Sequence, residues 1–201
     1  QPRPGEPAGV RETEYDGFRV RQFGAPAPNI PYVRNYYKSE KLTRSLTAYL
    51  AALLRAEPHD IVHPQHVLTT MAAVAAAKGA GVPVVATVRD YWPVCYWSDL
   101  LHTSEGLALC PECTARNMTI CIRPRAGASW PLALPMIPYM QSNLSAKRSG
   151  LARADAVIVG YPGHLDIPAA RRAARGAPVV FNPLVSLADP AVYALPMVLV
   201  I

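Results

Sequence analysis

An α/β fold built on a parallel sheet flanked by helices is what this sequence predicts, on three observations. The run PVVATV, Pro83–Val88, is apolar without alternation, which suits a parallel strand covered on both faces. It follows an Ala-rich helical stretch, itself preceded by the short strand DIVHPQH, so the order is β, α, β with tight joints. The plan then repeats: Asp60 matches Asp155 and Pro83 matches Pro178, an offset of 95 residues in both cases. Two readings fit the repeat: two βαβ units of one sheet that converge on one pattern, or two related segments joined in one chain.

The elements follow in order. Residues 1–13, rich in Pro, Gly and charge, read as a loop. GFRVRQF, Gly17–Phe23, alternates with the period of a half-exposed strand, and a Pro-rich connection from Ala25 to Pro31 ends it. From Asn35 to Ala56, Leu42, Leu46, Tyr49, Leu50 and Leu53 recur at helical spacing, with Pro58 closing the segment. Asp60–His66 reads as a short strand and about Leu68 to Ala80 as a helix stopped by Gly81. Regular periodicity disappears from Pro93 to Ala128, and all four cysteines fall inside that stretch. A second helical region runs from about Trp130 to Arg153, interrupted near Pro135 and Pro138. DAVIV, a Gly/Pro loop, the helix-forming AARRAARG and PVVFN complete the second unit.

Composition sets bounds on function. In 201 residues, 51% are hydrophobic and 17% charged, which describes a chain with a substantial core and excludes a disordered one. The longest apolar stretches, Ala72–Ala77 and Ala191–Ile201, fall short of the ~20 residues that span a bilayer. Gln1–Gly9 does not read as a signal peptide. A net charge of +6 and a pI near 9.3 favour anionic partners. With no nucleic-acid motif in the chain, acidic lipid surfaces and phosphates rank above nucleic acid.

Three segments carry candidate chemistry. Arg89, Asp90 and Tyr91 stand just beyond a buried strand, where ligands of open α/β sheets collect. An ion pair closing the strand end is the plainer reading. GYPGHLD, with Gly160, Gly163 and His164, lies between a strand and a helix as phosphate-contacting turns do, without the spacing of a P-loop. Cys95, Cys110, Cys113 and Cys121 give C-x14-C-x2-C-x7-C with one CPEC knuckle. Four thiolates so spaced suit a tetrahedral structural zinc that fixes a long loop; reduced unliganded thiols and disulfides are the other readings. WPLALPMIPYM, Trp130–Met140, with Lys147, Arg148 and Arg153 behind it, suits either an anionic lipid surface or, more simply, a packed helix.

A helix ending in EPHDIVHPQH, the PVVATVRDYW strand, a Cys-bearing segment and GLARADAVIV, in that order, resemble the N-terminal domain of group-1, family 4-like glycosyltransferases with the GT-B fold. The resemblance implies a Rossmann-like acceptor-side domain over residues 1–190, incomplete at its N-terminus, with 93–128 as an irregular Cys-bearing insertion. Residues 191–201, ending in ALPMVLVI, resemble the start of a missing second domain or a linker to it. It further implies a retaining transfer of a sugar from a nucleotide-sugar donor to a sugar or lipid-linked acceptor. The resemblance further implies that the chemistry needs no cofactor, with zinc at most structural, that the location is cytoplasmic with room for a peripheral membrane contact, and that the cysteines are reduced. The donor half being absent, the 201 residues alone are expected to be inactive. Arg89 occupies the position of a His common in the family, so a base role cannot be carried over, and catalytic residues stay unassigned. Arg89, Asp90 and Tyr91 are then candidates for acceptor binding, and His66, beyond Pro64 at the end of the preceding strand, joins them. The rival reading is a non-catalytic Rossmann-like binding module, zinc-stabilised or made of joined homologous segments.

Overall fold

The computed structural model describes residues 8–30, 36–99, 110, 112–160, 171–172 and 176–182. It opens with an antiparallel hairpin, β1 (Gly9–Tyr15) and β2 (Phe18–Gly24), closed by the Tyr15↔Phe18 pair. Asp16 and Gly17 both take positive φ, 50° and 78°, the conformation a two-residue type I′ turn demands. The loop expected over residues 1–13 is therefore corrected at its end, since Gly9 onward forms a strand. Its residues are exposed, so no apolar face announces it in the sequence.

A wide turn of π-helix, Tyr37–Lys41, leads into α1 (Leu42–Ala56). Leu42 and Leu46 are buried against Ala72, and Phe23 of the hairpin lies 5.3 Å from Tyr49 between ring centroids. The hairpin is also anchored by charge: Arg21 donates to Glu57 at 2.5 Å and to Glu12 at 2.5 Å. Next comes α2 (Val67–Ala80), where Ala72, Ala73, Ala76 and Ala77 present small buried side chains that let neighbouring elements approach closely. Gly81, at φ 73°, ends it in the left-handed conformation that suits glycine.

The central sheet is parallel, with strand order β3 (Val85–Val88), β4 (Ala156–Gly160) and β5 (Val179–Asn182). The strand expected over Asp60–His66 is reduced to a single parallel bridge, Val62↔Val84. Pro64 has no N–H to extend a ladder, though its carbonyl still accepts from Thr87 N at 2.9 Å. Between β3 and β4 run α3 (Ala115–Ala126), α4 (Trp130–Ala133) and α5 (Ile137–Leu151), the last two separated by a 3₁₀ turn containing Pro135. The sequence puts Ala115–Ala126 inside an irregular insertion, and the structure corrects this. Thr114 caps α3 by accepting from Asn117 N, and Met118, Cys121 and Ile122 form its buried face.

Two cores result. The first joins Val74 and Ala77 of α2, Trp92, Leu151 and the sheet residues Ala86, Val157 and Val159. The second joins Met118 and Ile122 of α3 to Ala133, Met140 and Leu144. Trp130–Met140 is thus a packed segment on one side, while Leu132 stands 82% exposed. No helix among the described residues is long and apolar enough to cross a membrane.

Candidate functional site

The carboxyl end of β3 delivers Arg89 and Asp90 to the surface and buries Trp92 behind them. Among the described residues the two charges do not pair with each other. Arg89 Nη2 donates to Gln65 Oε1 at 2.5 Å, and Asp90 Oδ1 accepts from the Trp92 backbone N–H at 2.9 Å. Asp90 therefore shapes the turn that follows the strand. The Tyr91 carbonyl accepts from Val94 N and Cys95 N at 3.0 and 2.8 Å, which tightens that turn. Arg148 of α5 then pins it by donating to Pro93 O at 2.8 Å. Gly160, at the matching end of β4, sits close enough that an added Cβ would lie 3.4 Å from Val88 O. Gly163 and His164 lie outside the described residues, as do 191–201 and most of AARRAARG.

The histidines of the preceding segment are both tied to the scaffold. His63 Nε2 shares a 2.7 Å hydrogen bond with Thr87 Oγ1. His66 is the N-cap of α2, its Nδ1 accepting from Leu68 N at 3.2 Å. Accepting at Nδ1 assigns the neutral ring's proton to Nε2, which makes Nε2–H its remaining donor.

A cavity of about 330 Å³ that the sequence did not disclose carries several polar side chains on a largely apolar wall. Ser39, Glu40 and Thr43 line it from the π-turn and α1, Met71 from α2, and Asn143 and Lys147 from α5. Glu40 Oε1 accepts from Tyr139 Oη and Asn143 Nδ2, both at 3.3 Å. Burial and the Glu40 charge push the Tyr139 hydroxyl up to about 12, so it stays a donor at neutral pH. Among the described residues Asn143 Oδ1 is buried with no hydrogen-bond partner. Lys147 lies within electrostatic reach of Asp90, Cys95, Cys113 and Glu40, and burial lowers its pKa despite those charges. Its ammonium stands 5.3 Å from the centroid of the Tyr96 ring. Glu40 and Tyr139 are 99 positions apart, so no local pattern could have joined them.

Among the described residues the four cysteines form no disulfide; Cys95 and Cys121 are buried, Cys110 and Cys113 partly so. Cys110 Sγ donates to Glu112 O at 3.3 Å. The hydrogen bond to Cys95 and burial hold the Cys113 thiol well above its ordinary range, and burial raises Cys121 to about 11. Arg125 donates to the Cys121 carbonyl at 3.0 Å and pairs with Asp99. Among the described residues no group of three or more His, Cys, Asp or Glu side chains is placed to hold a metal ion.

A family model described as Glycosyl transferase 4-like domain matches residues 2–116, more than half of the chain. The chain belongs to the glycosyl transferase 4-like family. Comparison with curated proteins and with solved structures returns no match. The region of this glycosyl transferase 4-like chain that matches holds the hairpin, α1, α2, β3 and the Arg89–Tyr91 turn. The cavity is completed by α5, beyond the matched residues. Sugar-related substrates are what membership of a glycosyl transferase 4-like family implies in general.

Proposed function

We propose that this chain forms the acceptor side of a retaining glycosyltransferase that moves a sugar from a nucleotide-sugar donor to a sugar or lipid-linked acceptor. The observation that carries the reading is the cavity lined by Glu40 and Lys147, with Lys147 within electrostatic reach of Asp90, on a chain of the glycosyl transferase 4-like family. Sugar hydroxyls need acceptors and donors in close alternation. A carboxylate, an amide oxygen without a partner and an ammonium provide both. Asp90, within electrostatic reach of Lys147, is assigned to the same acceptor side together with Tyr91 and with His66, which offers Nε2–H. Arg89, a permanent cation, suits an anionic group on the acceptor, such as the phosphate of a lipid-linked sugar, and cannot act as a base. A donor-binding domain working with this one would supply the nucleotide contacts, and transfer would rest on positioning and on stabilising the leaving diphosphate.

The test uses the enzyme with its donor-binding domain present. Glu40→Gln and Arg89→Ala are expected to raise the acceptor KM by about tenfold or more, the equivalent of ~1.4 kcal/mol, while the donor KM holds. Acceptor kinetics unchanged in both variants would overturn the assignment. Residues 1–201 alone are expected to show no turnover with any nucleotide sugar.

A further inference from the structure

We propose that the edge formed by α3 and α4, with Leu132 at its tip, docks on an anionic lipid surface. Between Glu112 and Asp155 the sequence has no Asp or Glu, and it places six cations there, at Arg116, Arg123, Arg125, Lys147, Arg148 and Arg153. The whole chain has 20 Lys and Arg against 14 Asp and Glu, so setting these six aside leaves 14 of each sign. The net charge of +6 therefore belongs to the stretch that forms α3, α4 and α5. Inside it, residues 126–146 carry no charged side chain. A long neutral run bracketed by cations suits an amphipathic contact with anionic lipid.

The fold sorts that run into two sides. Ala133, Met140 and Leu144 turn into the second core, while Leu132 is 82% exposed, the most of any large hydrophobic among the described residues. Pro131, Pro135 and Met136 are exposed beside it in the chain, so the outward side is apolar. Trp130, half-buried, lies under the guanidinium of Arg123, which stands 4.5 Å from the ring centroid. Arg123 is exposed, and Arg116, two turns earlier on α3, is exposed on the same side. The edge thus combines an apolar side chain for the acyl boundary, an indole suited to headgroup depth and guanidinium groups for lipid phosphates. Arg125 is paired with Asp99 and Arg148 donates to Pro93 O, so these two add to the field and not to the contact. A lipid surface is the occupant this pattern selects. It answers a field of one sign with many anionic groups in one plane and gives the apolar tip a medium to enter, whereas a protein surface mixes both signs.

The experiment is co-sedimentation of the full chain with two kinds of vesicle, phosphatidylcholine alone and an equal mixture of phosphatidylcholine and phosphatidylglycerol. The chain is expected to bind the mixed vesicles about tenfold more tightly than the neutral ones, or better, and to be released by added salt. Leu132→Ser removes the apolar tip, and Arg116→Gln with Arg123→Gln removes the two exposed cations; each variant is expected to weaken binding about tenfold. Arg44→Gln with Arg55→Gln takes the same charge from the exposed side of α1 and is expected to leave binding within about twofold. All five positions are exposed, so unchanged far-ultraviolet circular dichroism and thermal midpoints separate lost binding from lost fold. Equal binding to the two vesicles, no binding to either, undiminished binding by Leu132→Ser, or an α1 control as weak as the α3 double variant would each overturn the proposal. So would a chain that ignores vesicles yet self-associates until Leu132 is replaced, an outcome that assigns the edge to protein contact.

Discussion

Asp155 Oδ2 accepts the backbone N–H of Val84 at 2.8 Å, joining the residue before β4 to the residue before β3. Lys78 at the end of α2 donates to the other oxygen at 2.5 Å, so one carboxylate ties two strands and a helix. The Lys78 hydrogen bond and the Val84 N–H hold its pKa below the ordinary 3.8. A carboxyl depressed in the folded state contributes stability that is full above its unfolded pKa and is lost as pH falls through the folded one. Asp155→Asn keeps an acceptor for Val84 and removes the charge. The variant is expected to lose less stability than the parent on acidification below pH 3.8. Chemical denaturation across that range, compared between the two proteins, checks it.

His66 caps α2 through Nδ1, so its removal acts on the helix before it acts on any ligand. His66→Ala is expected to cost about 1 kcal/mol, the usual value of a lost N-cap, and His66→Asn to recover most of it. Urea denaturation of the three proteins decides this. If both variants match the parent, the cap contributes nothing.

Asp90 combines a turn-forming acceptor with a charge facing Lys147. Asp90→Asn retains the first and removes the second, while Asp90→Ala removes both. The alanine variant is expected to be less stable than the asparagine variant by roughly 1 kcal/mol, the cost of an unmet N–H at Trp92. In the enzyme with its donor-binding domain, both are expected to weaken acceptor binding alike, since both lose the charge. Acceptor KM values that differ between the two would assign the effect to the turn.

Gly150 of α5 faces Met71 of α2 so closely that a Cβ would run into the Met71 sulfur. Gly150→Leu is expected to destabilise the chain by ~1–3 kcal/mol through overpacking. Met71→Ala in the same chain is expected to relieve part of that loss. A double-mutant cycle measures the coupling, and strict additivity would mean the helices separate without penalty.

The parallel sheet and its first βαβ unit are legible in the sequence because a buried strand is apolar on both faces and an Ala-rich helix declares itself. Of the hairpin, β2 is legible in the alternation of Gly17–Phe23, whereas β1 escapes because it is exposed along its length and carries no apolar stripe. Its one available signal is local: Asp16-Gly17 between alternating residues. Helix α3 is obscured by Pro124 and by the expectation that a cysteine cluster lies in irregular chain. Thr114 as a cap, followed by Met118, Cys121 and Ile122 at helical spacing, would have located it. Arg89 and Asp90 are found where the strand pattern puts them, at the carboxyl edge. Glu40, Asn143 and Lys147 are not, since Glu40 comes from the π-turn ahead of α1 and the other two from α5, and only the packing of α1 and α5 on α2 brings them to one cavity.

The path from β3 to β4 has a kinetic consequence. These strands are neighbours in register, Val85 opposite Ala156, yet the whole of α3, α4 and α5 intervenes between them. Closing so long a connection costs entropy that four paired residues a side must recover. The second core, made almost wholly of residues within that connection, shortens the effective distance when it assembles. The rate at which this chain reaches its native sheet is therefore governed by how fast its crossover condenses, more than by the β propensity of the strands it joins.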